Sequence, residues 1–185
     1  MGQLEHRQIN TEPSDYRIAW WAALAISIHI IESALPSPIP GIKPGLANVI
    51  VIAVLVLYGW RDAVWVGLLR VLVGSLLIGT FLTPTFMLSL AGASTSMVAL
   101  GVAYYAGRCL PGWGVGPLGY SILAAQAHML GQFMAAYLLL IPHTALFKLL
   151  PLLMTAALVF GVISGMIATA MIDKVRKRTD GGTSG

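Results

Sequence analysis

Residues 117–141 read PLGYSILAAQAHMLGQFMAAYLLLI, and none of them is Asp, Glu, Lys or Arg. As a helix the stretch is about 37 Å long at 1.5 Å per residue, more than the roughly 30 Å hydrocarbon core of a bilayer. Pro142 ends it, because proline cannot continue a helix. Among the polar side chains that interrupt it are His128 and Gln132. They are one helical turn apart and therefore share a face. Polar groups at membrane depth are costly and usually face a bundle interior or a cavity.

The rest of the chain has the same character. It has 185 residues, 57% of them hydrophobic and 10% charged, with mean hydropathy +0.83. Soluble domains carry about 25% charged residues, so the composition predicts one all-α membrane domain. Three segments follow from it. Residues 1–16 are a polar N-terminal tail, 17–172 the transmembrane domain, and 173–185 a basic and then disordered tail. Residues 1–16 lack the pattern of a signal peptide. The pI near 9.5 does not signal nucleic acid, because the charges flank apolar segments and form no patch interleaved with aromatics. The single cysteine, Cys109, excludes an internal disulfide and a cysteine-based zinc cluster.

Six spans are expected. The first covers about 17–35 and stops at Pro36-Ser37-Pro38-Ile39-Pro40-Gly41. The second, Leu46 to Tyr58, is short. The third covers 63–82 and stops before Thr83-Pro84-Thr85. The fourth covers 86–106 and precedes a glycine-rich turn. The fifth is the stretch quoted above. A short amphipathic piece, Thr144 to Leu150, leads to the sixth, which runs to about Ile172. Six spans put both termini on one side. Arg7, Arg17, Arg61, Arg108, Lys174, Arg176, Lys177 and Arg178 fall there, against Lys43 and Lys148 on the other. The excess of Lys and Arg on one side predicts cytoplasmic termini and residence in the cytoplasmic membrane of a prokaryote. Trp20, Trp21, Trp60 and Trp65 suit the cytoplasmic interface.

Several polar groups fall at or near membrane depth. Glu32 and Asn48 lie at helix ends beside the first outer loop, which holds Lys43. Arg70 lies inside the third span, at a cost of about 2.5–3.5 kcal/mol on insertion scales. His128 falls near mid-membrane. For Glu32, Lys43 and Arg70 the readings are a site for a polar solute or internal ion pairing that fixes the loop, with snorkelling at the interface a third for Lys43 and a structural or gating role for Arg70. For His128 and Gln132 the choice is between ligand contact and interhelical hydrogen bonds. His29, one turn before Glu32, adds a second imidazole, but the spacing matches no known metal site. Ala19-x-x-x-Ala23 and Gly161-x-x-x-Gly165 let helices approach closely. Intramolecular packing or docking on a partner membrane protein explains either, and Ala19–Ala23 is the better docking candidate. No nucleotide-binding loop, catalytic triad or carboxylate pair is present, so no cofactor is expected.

The runs Glu32 to Pro36, Pro40 to Asn48, Leu69 to Leu76, Ser89 to Gly92 and Ala127 to Gln132 together resemble the Gx transporter family, labelled heptaprenyl diphosphate synthase component I. The resemblance covers about 20–172 and departs from the family pattern at Pro44 and Met129. That family is similar in turn to the substrate-binding S components of energy-coupling factor transporters. The likeness implies a six-helix fold with an outward pocket for a vitamin or precursor, such as a flavin. It also implies an alanine surface on the first helix, which Ala19 and Ala23 match in spacing. That surface would dock on a transmembrane coupling subunit energised by ATPases. The expectation is therefore a non-enzymatic solute-binding component, with Glu32, Lys43, Asn48, Arg70, His128 and Gln132 at the site. The alternative is a membrane accessory of polyprenyl diphosphate or quinone synthesis. Against an enzyme stands the isolation of every aspartate (Asp15, Asp62, Asp173, Asp180), because diphosphate chemistry draws on clustered carboxylates to hold magnesium.

Overall fold

A computed structural model describes residues 12–34, 46–109 and 114–181, and within them the chain is all-helical. The elements are α1 (Pro13–Ala34), α2 (Leu46–Tyr58), α3 (Trp60–Ile78), α4 (Pro84–Cys109), α5 (Pro117–Ala135) and α6 (Leu150–Gly181). A π-helical turn (Ala136–Leu140) closes α5, and a 3-10 turn (Thr144–Leu149) precedes α6.

The helix ends follow local chemistry. α1 begins at Pro13, four residues before the expected start of the span. Proline suits the first helical position, and the Asp15 carboxylate accepts the Glu12 backbone N–H at 3.0 Å, half of a capping box. α3 stops at Ile78, short of the expected Leu82. Gly79 takes a left-handed conformation (φ 76°), and Thr80 N–H then bonds the Ser75 carbonyl at 2.9 Å. α2 and α3 are joined by Gly59 alone, at φ 97°, which no β-carbon-bearing residue adopts without strain. α6 runs on to Gly181, beyond the expected end near Ile172. Its last turns carry exposed Asp173, Lys174, Arg176, Lys177 and Arg178, so the basic segment is a helical extension.

α2 is the axis of the bundle. Val49 to Leu55 are each no more than 3% exposed, and the helix touches α1, α3, α5 and α6. A helix apolar all round is stable when surrounded, and α2 is wrapped by its neighbours. This accounts for its shortness: 13 residues span about 20 Å, less than a bilayer core. The remaining helices pair as α1 with α3, α3 with α4, α4 with α5 and α5 with α6.

Three helical segments are long and apolar enough to cross a membrane: Pro84–Cys109, Pro117–Leu140 and Thr144–Arg178. Their outer faces leave Val98, Val102, Leu123, Leu130, Leu158, Val159 and Met166 exposed. An apolar surface that extensive is unsuited to water and suited to lipid.

Glycines set the closest approaches. A β-carbon on Gly161 would lie 3.1 Å from Ile122 Cα, and one on Gly165 3.0 Å from Leu118 Cα. The Gly161-x-x-x-Gly165 pair is therefore used inside the chain, to seat α6 on α5. Gly131 does the same for α5 on α4, where a β-carbon would lie 2.8 Å from the Ala91 carbonyl oxygen.

Candidate functional site

The side chains singled out along three separate helices meet inside the bundle. Glu32 lies in the last turn of α1 and Arg70 past the middle of α3, and both are buried, at 4% and 7% exposure. Arg70 interacts electrostatically with Glu32, and His128 of α5 interacts with Arg70 and with His29 of α1. Within each helix, spacing sets which of these side chains share a face. His29 precedes Glu32 by three residues and shares its face; His128 and Gln132 are a four-residue pair.

Two glycines make the meeting possible. A β-carbon on Gly92 of α4 would lie 2.7 Å from Gln132 Cγ and 2.9 Å from both Cε1 and Nε2 of His128. The bare backbone there lets α5 press its polar face onto α4. A β-carbon on Gly74 of α3 would lie 3.0 Å from Cδ2 of His29. Gly74 is one turn past Arg70, so the His29 ring is laid beside the guanidinium's own helix face. The result is a polar cluster of His29, Glu32, Arg70, His128 and Gln132, walled by α4 at Gly92. Ser96, one turn beyond Gly92 on α4, is 2% exposed, and its hydroxyl has no hydrogen-bond partner. A buried hydroxyl without a partner is unusual and adds a further polar atom on the same face of α4.

The expected site residues divide accordingly. Glu32, Arg70, His128 and Gln132 are brought together, and Arg70 is part of the cluster, not set apart toward the terminal end. Asn48 is half-buried in the first turn of α2, and Lys43 lies outside the described residues. Ala19 and Ala23 are exposed on α1, flanked by Trp20 at 71%. Trp65 is exposed too, whereas Trp21 is buried against Tyr58 and Trp60 stacks on Tyr104, so those two tryptophans are packing groups.

Two features are not singled out along the sequence. One is Gly92, for which its place inside the Ser89–Gly92 run is the available signal. The other is a polar contact at the terminal end. Arg17 of α1 reaches Asp62 of α3, with its Nη2 2.8 Å from Oδ2, and stacks 4.5 Å over the Tyr58 ring. Asp62, isolated in sequence, is thus paired in space. Beside it an open cleft of about 340 Å³ is lined by Ser14, Ile18, Ala19, Arg61, Trp65 and Leu69. It lies at the opposite end of α1 from Glu32. Among the described residues no three of His, Cys, Asp and Glu are placed to hold a metal ion.

Residues 21–171 match the family heptaprenyl diphosphate synthase component I. The match spans most of the chain, and the protein belongs to that family. Neither curated proteins nor solved structures give a match.

Proposed function

We propose that this family member is a solute-binding membrane component that takes up a small organic molecule, such as a vitamin or its precursor. The observation that carries the reading is the convergence of His29, Glu32, Arg70, His128 and Gln132 from three helices inside an otherwise apolar bundle. Glu32 and Arg70 are buried, and a polar group at that depth is expensive; function is the usual reason it persists.

In this reading all six helices form a membrane bundle with both termini cytoplasmic. Arg17, Arg61, Arg108 and the basic end of α6 then sit at one face, as the excess of positive charge on the cytoplasmic side demands. The Arg17–Asp62 pair supports placing the starts of α1 and α3 at one end. The solute enters from the opposite end, past Glu32, Asn48 and Lys43, and is held by the cluster. The chain carries no nucleotide-binding loop, so a transmembrane coupling subunit with ATPases supplies the energy. Ala19 and Ala23, exposed beside Trp20, are the proposed docking positions for that subunit.

The family name supports a second reading, an accessory role in prenyl diphosphate synthesis. Against a catalytic version stands the placement of Asp62, which is engaged by Arg17. Asp15 lies two residues before Arg17 and lines the same cleft as Asp62, and Asp173 lies near the C-terminal end of α6.

The test is uptake and binding across a vitamin panel. Glu32→Ala and His128→Ala should each abolish ligand-induced thermal stabilisation and uptake while the apo protein still folds. Wild-type uptake in both variants would end the solute-binding reading. Co-purification with a soluble prenyl synthase, and loss of its product on deletion, would favour the accessory role.

A further inference from the structure

We infer that the end of α6 binds the headgroups of acidic phospholipids, with Lys174 and Arg178 holding the phosphate. Such a site serves the bundle whatever solute it carries.

α6 is longer than a bilayer requires. From Leu150 it rises about 36 Å to Lys174 and about 42 Å to Arg178, at 1.5 Å per residue. With Leu150 at one boundary of a hydrocarbon core roughly 30 Å thick, the two cations lie about 6–12 Å past the other. A common tilt near 20° shortens this to about 4–9 Å. The headgroup zone on each side is about 5–8 Å deep, so the cations stand at the level of the phosphates.

The extension is fixed to the bundle. Ile172 is 1% exposed, and Met171 and Val175 pack against the core. Lys174, Arg176, Lys177 and Arg178 are all exposed. Helical spacing arranges them unequally. Asp173 precedes Lys177 by four residues and shares its stripe, so that cation has a carboxylate neighbour. Lys174 and Arg178 share another stripe, which continues back to Ala170 and Met171. Two like charges at this spacing repel. A phosphodiester seated between them removes the repulsion, and guanidinium and ammonium groups are its usual donors.

Aromatic side chains mark the same level on other helices. Gly161 faces Ile122 and Gly165 faces Leu118, so α6 runs antiparallel to α5 and its end passes Pro117. The seven residues between α4 and α5 reach at most about 29 Å, less than the roughly 39 Å length of α4, so α5 starts at the end where α4 finishes. Trp60 stacks on Tyr104, and Arg17 pairs with Asp62, which adds the starts of α3 and α1 to that end. Exposed there are Tyr16, Trp20, Trp65 and Tyr105. Exposed tryptophan and tyrosine settle at the headgroup level. A belt of them beside the cations is what a lipid interface selects, and an acidic protein surface has no need of one.

The experiment offers the full-length protein, purified in detergent, equal concentrations of dioleoyl phosphatidylglycerol and dioleoyl phosphatidylcholine. Native mass spectrometry counts the lipid retained, and melting is followed with each lipid alone. The expected result is preferential retention of phosphatidylglycerol and stabilisation by it. Lys174→Gln/Arg178→Gln should lower the preference about ten- to thirtyfold, the usual effect of two interfacial cations, and should melt like wild type in detergent alone. At about 1 M salt, where the screening length is about 3 Å, the wild-type preference should fall as well. Arg61→Gln/Lys148→Gln removes the same charge from exposed positions elsewhere and should keep the preference. Equal retention of the two lipids by wild type overturns the inference. Equal loss in both double variants shows diffuse attraction by net charge and also overturns it. Stabilisation by glycerol 1-phosphate as strong as by phosphatidylglycerol shows a site for soluble phosphates, with the same consequence. Protection of Lys174–Arg178 from trypsin in native membranes that disappears in phosphatidylglycerol vesicles assigns the face to a protein partner and overturns it too.

Discussion

Replacing Gly92 by alanine tests whether the cluster is a site, because the added methyl group enters it and little else. Its carbon would lie 2.7 Å from Gln132 Cγ and 2.9 Å from two ring atoms of His128. Contacts that short are relieved only by moving both side chains. Overpacking of this kind costs about 1–3 kcal/mol. If the bound arrangement bears that cost, affinity falls roughly 5- to 150-fold at about 1.4 kcal/mol per decade. Gly101→Ala is the matched control. Its methyl carbon would lie 2.7 Å from Trp60 Cη2, an equally tight site on the same helix, about 13 Å away by helical rise. Both substitutions gain the same helix propensity, about 1 kcal/mol, so their difference isolates location. The assay pairs thermal melting of apo protein with the amount of solute bound. Melting should fall alike in both variants, and binding should fall in Gly92→Ala alone. Wild-type binding in Gly92→Ala would refute the assignment. Equal loss of binding in Gly101→Ala would show that the effect is general loosening of the bundle.

Three further outcomes follow from other parts of the fold. Gly131→Ala should destabilise by about 1–3 kcal/mol or more, read as a lower melting temperature, because its methyl group meets the Thr95 side chain and also the Ala91 backbone oxygen, which cannot rotate away. Arg17→Ala should cost about 1–2 kcal/mol by leaving buried Asp62 unpaired, discounted because the Arg17 side chain is 39% exposed; Arg17→Ala/Asp62→Ala should recover part of the loss in chemical or thermal denaturation. Cys109 is exposed at the end of α4 and is the chain's single cysteine. With cytoplasmic termini, a membrane-impermeant maleimide should leave it unlabelled in intact cells and label it after permeabilisation; labelling of intact cells would reverse the orientation.

The candidate site was partly legible in the sequence for a local reason. His128 and Gln132, or His29 and Glu32, share a face whenever their segment is helical, and the segment's composition makes it helical. The same logic placed α2 at Leu46–Tyr58, the ends the structure shows. Helix starts and stops were less legible where one backbone hydrogen bond decides them, as at Asp15 and Gly79. Gly161 and Gly165 announced a close helix contact, but their partner on α5 was not written in their spacing.

The amino-acid sequence by itself determined that this chain is helical and suited to lipid, and which side chains would be costly to bury. Length, apolar content and helical period are properties of each segment alone, so they can be read without neighbours. Only the tertiary structure decided that α2 is the enclosed axis, that Arg17 finds Asp62, and that His128 and Gln132 press on Gly92. Those are choices of partner between distant segments. They depend on which glycine-lined surfaces let two helices approach, a property of the whole assembly that no single stretch of sequence contains.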